Sequence, residues 1–159
     1  MLRLRARYPD CAALWLLTAH HALTAGSLRL ALADYSPALR LRADAPLPAL
    51  AMAVTLLSLS TSRRQPDRNG TVMQAFAFFA KYVELTNRSQ EAVYNLARAS
   101  QGLGLRHFAV GLYEEVLTWK EEENSEGLKR EAAYNLSLIY QASGNLDLAR
   151  QVLRDHITI

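Results

Sequence analysis

The pattern of apolar and polar positions is periodic, and one segment of the chain occurs twice with nearly the same pattern. The stretch EAVYNLARASQGLGLRHFAVGLYEEVL at residues 91–117 is echoed forty residues later by EAAYNLSLIYQASGNLDLARQVL. Eight residues keep both identity and place: Glu91, Ala92, Tyr94, Asn95, Leu96, Gln101, Gly104 and Ala109 recur as Glu131, Ala132, Tyr134, Asn135, Leu136, Gln141, Gly144 and Ala149. Self-similarity at such a spacing indicates a repeat architecture.

Each copy predicts two helices joined by a glycine turn. Apolar or small residues fall at helical spacing before the glycine and again after it. Gly104 and Gly144 stand where the left-handed residue after a helix end is expected, a conformation that strains any side chain with a Cβ. The repeated unit is therefore helix, turn, helix.

The same pattern of small and large residues extends towards the N-terminus and defines four repeats. A small residue at the closest approach of the two helices is followed four positions later by a large one. These pairs are Ala31 and Tyr35, Ala75 and Phe79, Ala109 and Tyr113, and Ala149 and Leu153. We predict a single array with repeats at about 12–45, 46–89, 90–129 and 130–159, with a loop insertion at 61–70 and an acidic insertion at 121–126.

Once the two insertions are set aside, the repeats have a common period of 34 residues. A helix–turn–helix unit of that length resembles the tetratricopeptide repeat. Small residues fill its eighth position, namely Ala19, Ala53, Ala97 and Ser137, and alanine fills the twentieth position of all four units. The expected fold is all-α, a right-handed α-solenoid of about eight helices in four pairs. Such helix pairs bury their apolar faces only against their neighbours.

Composition narrows the functional class. The 159 residues are half hydrophobic with few glycines and prolines, which favours a folded helical protein. The net charge of +3 is too mild to indicate a DNA-binding protein by itself. Cys11 is the single cysteine, which fits a reducing compartment. No apolar run approaches the roughly 20 residues of a membrane span.

Several stretches resemble one family beyond the repeat pattern. They are RYPDCAALW, HHALTAGSL, PLPALAMAVTLLSLSTSRRQPDRN, QAFAFFAKYVEL, QEAVYNLARASQGLGL and, most specifically, REAAYNLSLIYQASGNLDLARQVL. They are similar to the C-terminal part of the tetratricopeptide-repeat subunit of transcription factor IIIC. The resemblance implies a nuclear scaffold without cofactors, which helps initiation factor IIIB and RNA polymerase III assemble on transfer RNA type genes. It also implies that the chain is a C-terminal fragment or a truncated gene model.

The partners implied are other transcription factor IIIC subunits and components of initiation factor IIIB, with indirect or weak DNA contact. The candidate partner-binding groove lies on the first helices of the third and fourth repeats. Its residues are Tyr94, Asn95, Arg98, Gln101, Tyr134, Asn135 and Gln141. Two asparagines in one register could hold the backbone of an extended peptide, because each amide both donates and accepts. Shared ancestry of the repeats and packing between units is the competing explanation.

A second candidate contact, for phosphate or an acidic partner, is formed by Arg63, Arg64 and Arg68 in the loop insertion. Two functional alternatives therefore stay open: a direct nucleic-acid binder using this basic loop, and an unrelated tetratricopeptide module that binds a peptide. Catalysis is not expected. The histidines at 20, 21, 107 and 156 lack partners at ligand spacing, and no glycine-rich phosphate loop is present.

Overall fold

A computed structural model describes residues 2–63, 65–119 and 127–157, with side chains from residue 4 onward. The described residues form helices joined by turns and contain no strand. They divide into two compact units, Met1–Asn87 and Arg88–Ile159, which are called unit 1 and unit 2 below. The all-α class predicted from the sequence is confirmed.

Unit 1 contains five of these helices. They are α1 (Leu2–Arg7), α2 (Ala12–Thr24), α3 (Leu28–Leu41), α4 (Pro46–Ser60) and α5 (Arg68–Leu85). Each of α2 to α4 packs on the next helix in the chain, as expected for stacked helix pairs. The short helix α1 was not predicted.

Arg5 attaches α1 to the rest of unit 1. Its Nη1 donates to Asp34 Oδ2 at 2.7 Å, and its guanidinium lies 3.9 Å from the centre of the Trp15 ring. The Trp15 indole in turn donates to the carbonyl of Pro9 at 2.7 Å. Asp34 is buried at 4% exposure, so this ion pair compensates a carboxylate that would otherwise be costly to bury.

Unit 2 contains four described helices. They are α6 (Gln90–Gly102), α7 (Arg106–Thr118), α8 (Lys129–Ala142) and α9 (Leu146–His156). Again each helix packs on the next along the chain. One core cluster joins α6, α7 and α8, with Val93, Tyr113, Val116 and Leu136 almost fully buried.

The glycine turns were predicted correctly, and they share one hydrogen-bond pattern. Gly26, Gly104 and Gly144 have φ of 73°, 79° and 83°. After each glycine, the next amide donates to a carbonyl five residues earlier, each time at 2.9 Å, as from Leu105 to Ser100. This is the Schellman motif, which satisfies the last carbonyls of the preceding helix.

The predicted small-residue contacts are also confirmed. Ala31, Ala75, Ala109 and Ala149 are at most 1% exposed. The large residue that follows is equally buried in the first three cases, Tyr35, Phe79 and Tyr113, whereas Leu153 of α9 is only half-buried. Closely packed helices therefore leave no room for a larger side chain at these alanines.

The loop between α4 and α5 is shorter than expected, because α5 begins at Arg68 rather than Thr71. Asp67 explains the earlier start, since its side chain accepts from the amide of Gly70 at 2.8 Å and caps the helix. Ser89 similarly caps α6 by accepting from the amide of Ala92. The predicted acidic insertion at 121–126 lies outside the described residues.

Within the described part of the chain, no helix combines the length and apolar character needed to cross a membrane.

Candidate protein-interaction face

The first helices of the two pairs in unit 2 carry matching stripes of side chains at spacings of three and four residues. On α6 the stripe is Glu91, Tyr94, Arg98 and Gln101, and on α8 it is Glu131, Tyr134, Leu138 and Gln141. We call these two stripes the unit 2 face. On α8, Tyr134 is 55% exposed and Leu138 is 38% exposed, so α8 offers an aromatic ring and an aliphatic side chain to solvent.

A hydrogen bond links the two helices that form this face. Asn135 Nδ2 donates to the hydroxyl of Tyr94 at 3.1 Å. Both side chains are half-buried. Asn135 therefore helps to fix α8 against α6, which supports the packing explanation for this residue.

The ring of Tyr94 continues this contact into the core. It lies 6.0 Å from the ring of the fully buried Tyr113, at a tilt of 59°. The Tyr113 hydroxyl donates to Gln101 Oε1 at 2.6 Å. Burial raises the pKa of Tyr113, and nearby Tyr94 raises it further, while Arg98 opposes them. Gln101 thus holds α6 against α7, with its carbonyl oxygen already occupied.

The other predicted groove residues are accessible. Arg98 and Gln141 are exposed, and Asn95 is half-buried with an interaction of its own. The structure thus places the predicted residues on α6 and α8 of one unit. Their role in binding a partner stays a prediction.

Sequence reasoning missed the residues that bind the two helix pairs of unit 2 together. Gln90 Nε2 donates to the carbonyl of Val116 at 3.3 Å, and Gln90 Oε1 accepts from the amide of Leu128 at 3.2 Å. Tyr140 of α8 donates its hydroxyl to Glu114 of α7 at 3.0 Å. Burial, then the bond to Glu114, raises the pKa of Tyr140. These partners are far apart in the chain, so no local pattern identifies them.

Arg88 forms a further missed contact. It makes a bidentate ion pair with Glu115, with distances of 2.8 and 2.7 Å. The pair raises the pKa of the Arg88 guanidinium. Both Arg88 and its neighbour Asn87 have positive φ, at 53° and 50°, which marks the sharp turn before α6.

The structure describes two of the three arginines predicted to contact phosphate or an acidic partner. Arg63 is exposed, and Arg64 lies outside the described residues. Arg68 is the first residue of α5, and its Nε donates to the carbonyl of Ser60 at 2.9 Å. Arg68 therefore joins the end of α4 to the start of α5 rather than standing free in a loop.

Groups of metal-ligating side chains are absent among the described residues. His20 instead hydrogen-bonds through Nδ1 to the hydroxyl of the buried Tyr35, with the two rings edge to face. Burial raises the pKa of this tyrosine. The His20–Tyr35 pair holds α2 on α3 and accounts for this histidine structurally.

The chain matches curated proteins along its length. It is 35% identical to human "General transcription factor 3C polypeptide 3" over 99% of the chain. It is 33% identical to "Transcription factor tau subunit sfc4" of Schizosaccharomyces pombe and 30% identical to "Transcription factor tau 131 kDa subunit" of Saccharomyces cerevisiae, over 74% and 73% of the chain. It spans only 18%, 14% and 12% of these three relatives.

No protein-family model matches the chain. Among solved structures, the crystal structure of MamA superposes with a TM-score of 0.71 over 98% of the chain and 81% of MamA, at 14% identity. At that identity the likeness shows the fold alone, and it agrees with the tetratricopeptide-like arrangement of helix pairs. The sequence matches go further: the chain is homologous to the transcription factor IIIC subunit known in yeasts as a tau subunit, and it belongs to that subunit's family.

Proposed function

We propose that the chain is a protein-interaction scaffold, a C-terminal segment of a transcription factor IIIC subunit that helps assemble the RNA polymerase III initiation complex on transfer RNA type genes. Its partners in this proposal are other transcription factor IIIC subunits and components of initiation factor IIIB. It acts in the nucleus and contacts DNA weakly or only through those partners.

The observation that carries the proposal is the match to the human relative across 99% of the chain. A match confined to the repeated small residues would support only a shared fold. Here the match to the human relative spans both units, and the names of all three relatives are those of transcription factor components. A subunit of such a factor acts through contacts with other proteins.

The unit 2 face supplies chemistry suited to such contacts. Tyrosine and arginine are enriched among residues that contribute most to interfaces, and here Tyr134 and Arg98 are both exposed. Glutamine and asparagine amides beside them can pair with the backbone of an extended segment. We therefore assign direct contact with a partner to Arg98 on α6 and to Tyr134 and Gln141 on α8. Tyr94, Asn95, Gln101 and Asn135, the other predicted groove residues, border this surface from half-buried positions.

No chemical step is part of the proposal. The homologous subunits are named for transcription rather than catalysis. The chain has no cofactor to bind in this account, and it would work by holding partners at fixed separations.

Affinity capture from nuclear extract tests the proposal. The 159-residue chain is immobilised, and bound proteins are identified by mass spectrometry at 50 and 200 mM salt. We expect recovery of transcription factor IIIC or IIIB subunits at both salt concentrations after nuclease treatment. The matched control is a chain of the same length carrying Ala109→Phe, which disrupts the helix contact.

The competing function is direct nucleic-acid binding. In that case affinity for a nucleic acid would fall steeply between 50 and 200 mM salt, because each phosphate contact releases counterions. Loss of all captured protein on nuclease treatment, with tight binding of purified DNA to the chain, would overturn the scaffold proposal.

A further inference from the structure

Unit 1 contains a cleft that the unit 2 face does not explain. It consists of two adjoining cavities of about 310 and 380 Å³, both lined by Arg29 and Leu59. The first turn of α3 forms one wall, and the end of α4 with the following loop forms the other. We call it the Arg29 cleft, and its other main lining residues are Leu28, Leu32, Gln65 and Pro66.

The lining of this cleft combines leucine side chains with serine and glutamine side chains and one charge. Leu28, Leu32 and Leu59 are half-buried, so each still presents part of its side chain to the cleft. Arg29 is exposed, and its described hydrogen bond, from Nη2 to Gln65 Oε1, is long at 3.5 Å. Of the described residues that line the two cavities, Arg29 is the one that carries a charge.

The position of this arginine follows from the repeat. Arg29 stands three residues after the turn glycine Gly26. In unit 2 the equivalent place after Gly104 holds His107, which follows Arg106, and both line a cleft of about 420 Å³ beside Val110 and Ile139. An arginine or histidine beside aliphatic side chains at the start of the second helix is thus a feature of the first helix pair of each unit.

We propose that the Arg29 cleft binds a short linear segment of a partner protein that combines acidic and aliphatic side chains. The carboxylate of the segment pairs with the Arg29 guanidinium, which offers a planar fork of donors. An aliphatic side chain of the segment lies between Leu28 and Leu59, where it is removed from water. The proposal adds a second recognition site to the scaffold, and it does not depend on the unit 2 face.

Charge complementarity selects an acidic peptide over a nucleic acid as the occupant. Tight binding of a phosphate backbone requires several cations along its path. Among its described lining residues, the cleft instead has a single guanidinium, that of Arg29, beside leucine, serine and glutamine side chains. Arg63 is exposed in the nearby loop and adds positive potential, which attracts an acidic segment without building a phosphate track.

The test uses the ¹⁵N-labelled full chain and a short synthetic peptide with blocked termini, in which glutamate and aspartate alternate with leucine. We expect this peptide to shift the amide signals of Ser27, Arg29, Leu59 and Ser62. A peptide with glutamine and asparagine in place of the acids should shift them far less. Arg29→Glu should weaken binding of the acidic peptide at least about tenfold, while Arg40→Glu, an exposed change on the same helix, should leave it unchanged.

Arg29→Gln provides a second variant that removes the charge with little change in shape, in case the charge reversal disturbs α3. Equal binding by Arg29→Gln and the parent, equal binding of the neutral peptide, or shifts confined to residues away from the cleft would overturn the proposal. So would an oligonucleotide that shifts the same signals more strongly than the acidic peptide does. None of these outcomes depends on whether transcription factor subunits are captured by the chain.

Discussion

Units 1 and 2 differ in the polarity of the side chains at corresponding helix positions. When the units are aligned on the buried small residues Ala19, Ala53, Ala97 and Ser137, the unit 2 face and the adjoining Asn95 and Asn135 consist mainly of tyrosine, asparagine, arginine, glutamate and glutamine. The corresponding positions of α2 and α4 in unit 1 are almost all aliphatic. The exposed ones include Leu17, Leu47 and Val54, at 55%, 50% and 41% exposure.

The comparison separates the positions that helix packing restricts to small residues from the solvent-facing positions that can vary. Both units bury alanine where two helices meet, since the backbone spacing permits nothing larger. The solvent-facing positions of the first helices are not bound by this packing requirement, so they can differ between units. The two recognition sites that we propose therefore differ in chemistry although the helix pairs that carry them share one architecture.

The largest expected effect comes from overfilling the shared scaffold. Ala109→Phe should destabilise unit 2 by about 1 to 3 kcal/mol, because the ring has no space between α6 and α7. The control is Ala142→Phe, the same substitution at an exposed position near the end of α8. Denaturant unfolding that gives the two variants equal stability would show that the contact at Ala109 is not tight.

Unit 1 depends on a partly buried ion pair for which unit 2 has no counterpart of equal burial among the described residues. Arg5→Ala leaves the carboxylate of Asp34 buried without its partner, and we expect a loss of about 1 to 3 kcal/mol. Arg5 is 19% exposed at the side chain, so solvent screening favours the lower part of that range. Arg40→Ala on exposed α3 surface is the control, measured by chemical denaturation.

The link between Asn135 and Tyr94 should contribute less. A double-mutant cycle of Asn135→Ala and Tyr94→Phe should give a coupling energy of about 0.5 to 1.5 kcal/mol, the usual value for one hydrogen bond. Helix propensity alone favours alanine at 135, so a loss of stability in the Asn135→Ala variant reports the bond to Tyr94. Strictly additive losses would mean that the bond contributes nothing to stability.

The smallest effect concerns alkaline pH. Burial raises the pKa of Tyr113 in the folded state, so its contribution to stability is full below the unfolded value of about 10 and is lost as pH rises through the folded pKa. Tyr113→Phe should therefore lose less stability than the parent between about pH 9 and 11. Parallel pH profiles of the two proteins in thermal melts would contradict this.

The scaffold was predictable because it depends on local rules. Gly26, Gly104 and Gly144 mark helix ends through a backbone conformation that glycine favours, and a buried alanine recurs in the second helix of each repeat. The contacts of Gln90, Arg88 and Arg5 were not predictable. Each joins residues distant in sequence, with a partner decided by the packed structure.

In the candidate sites too, residues marked by a local sequence pattern were predictable, and contacts that depend on tertiary packing were not. Tyr94, Gln101, Tyr134 and Gln141 of the unit 2 face were singled out from sequence because they repeat in the same helix register in α6 and α8. Arg68 was misplaced because its role depends on Asp67 starting α5 early and on the carbonyl of Ser60 being in reach. The Arg29 cleft was missed because its two walls come from separate helix pairs.

The most direct test of the account is quantitative capture by variants of the unit 2 face. Arg98→Glu combined with Tyr134→Ala changes two exposed side chains on α6 and α8, and Arg154→Glu on α9 serves as the exposed control. We expect the double variant to recover transcription factor IIIC and IIIB subunits at least about tenfold less well than the parent, with an unchanged melting temperature. The control should match the parent. Undiminished recovery by a folded double variant would contradict the claim that this face binds the partners.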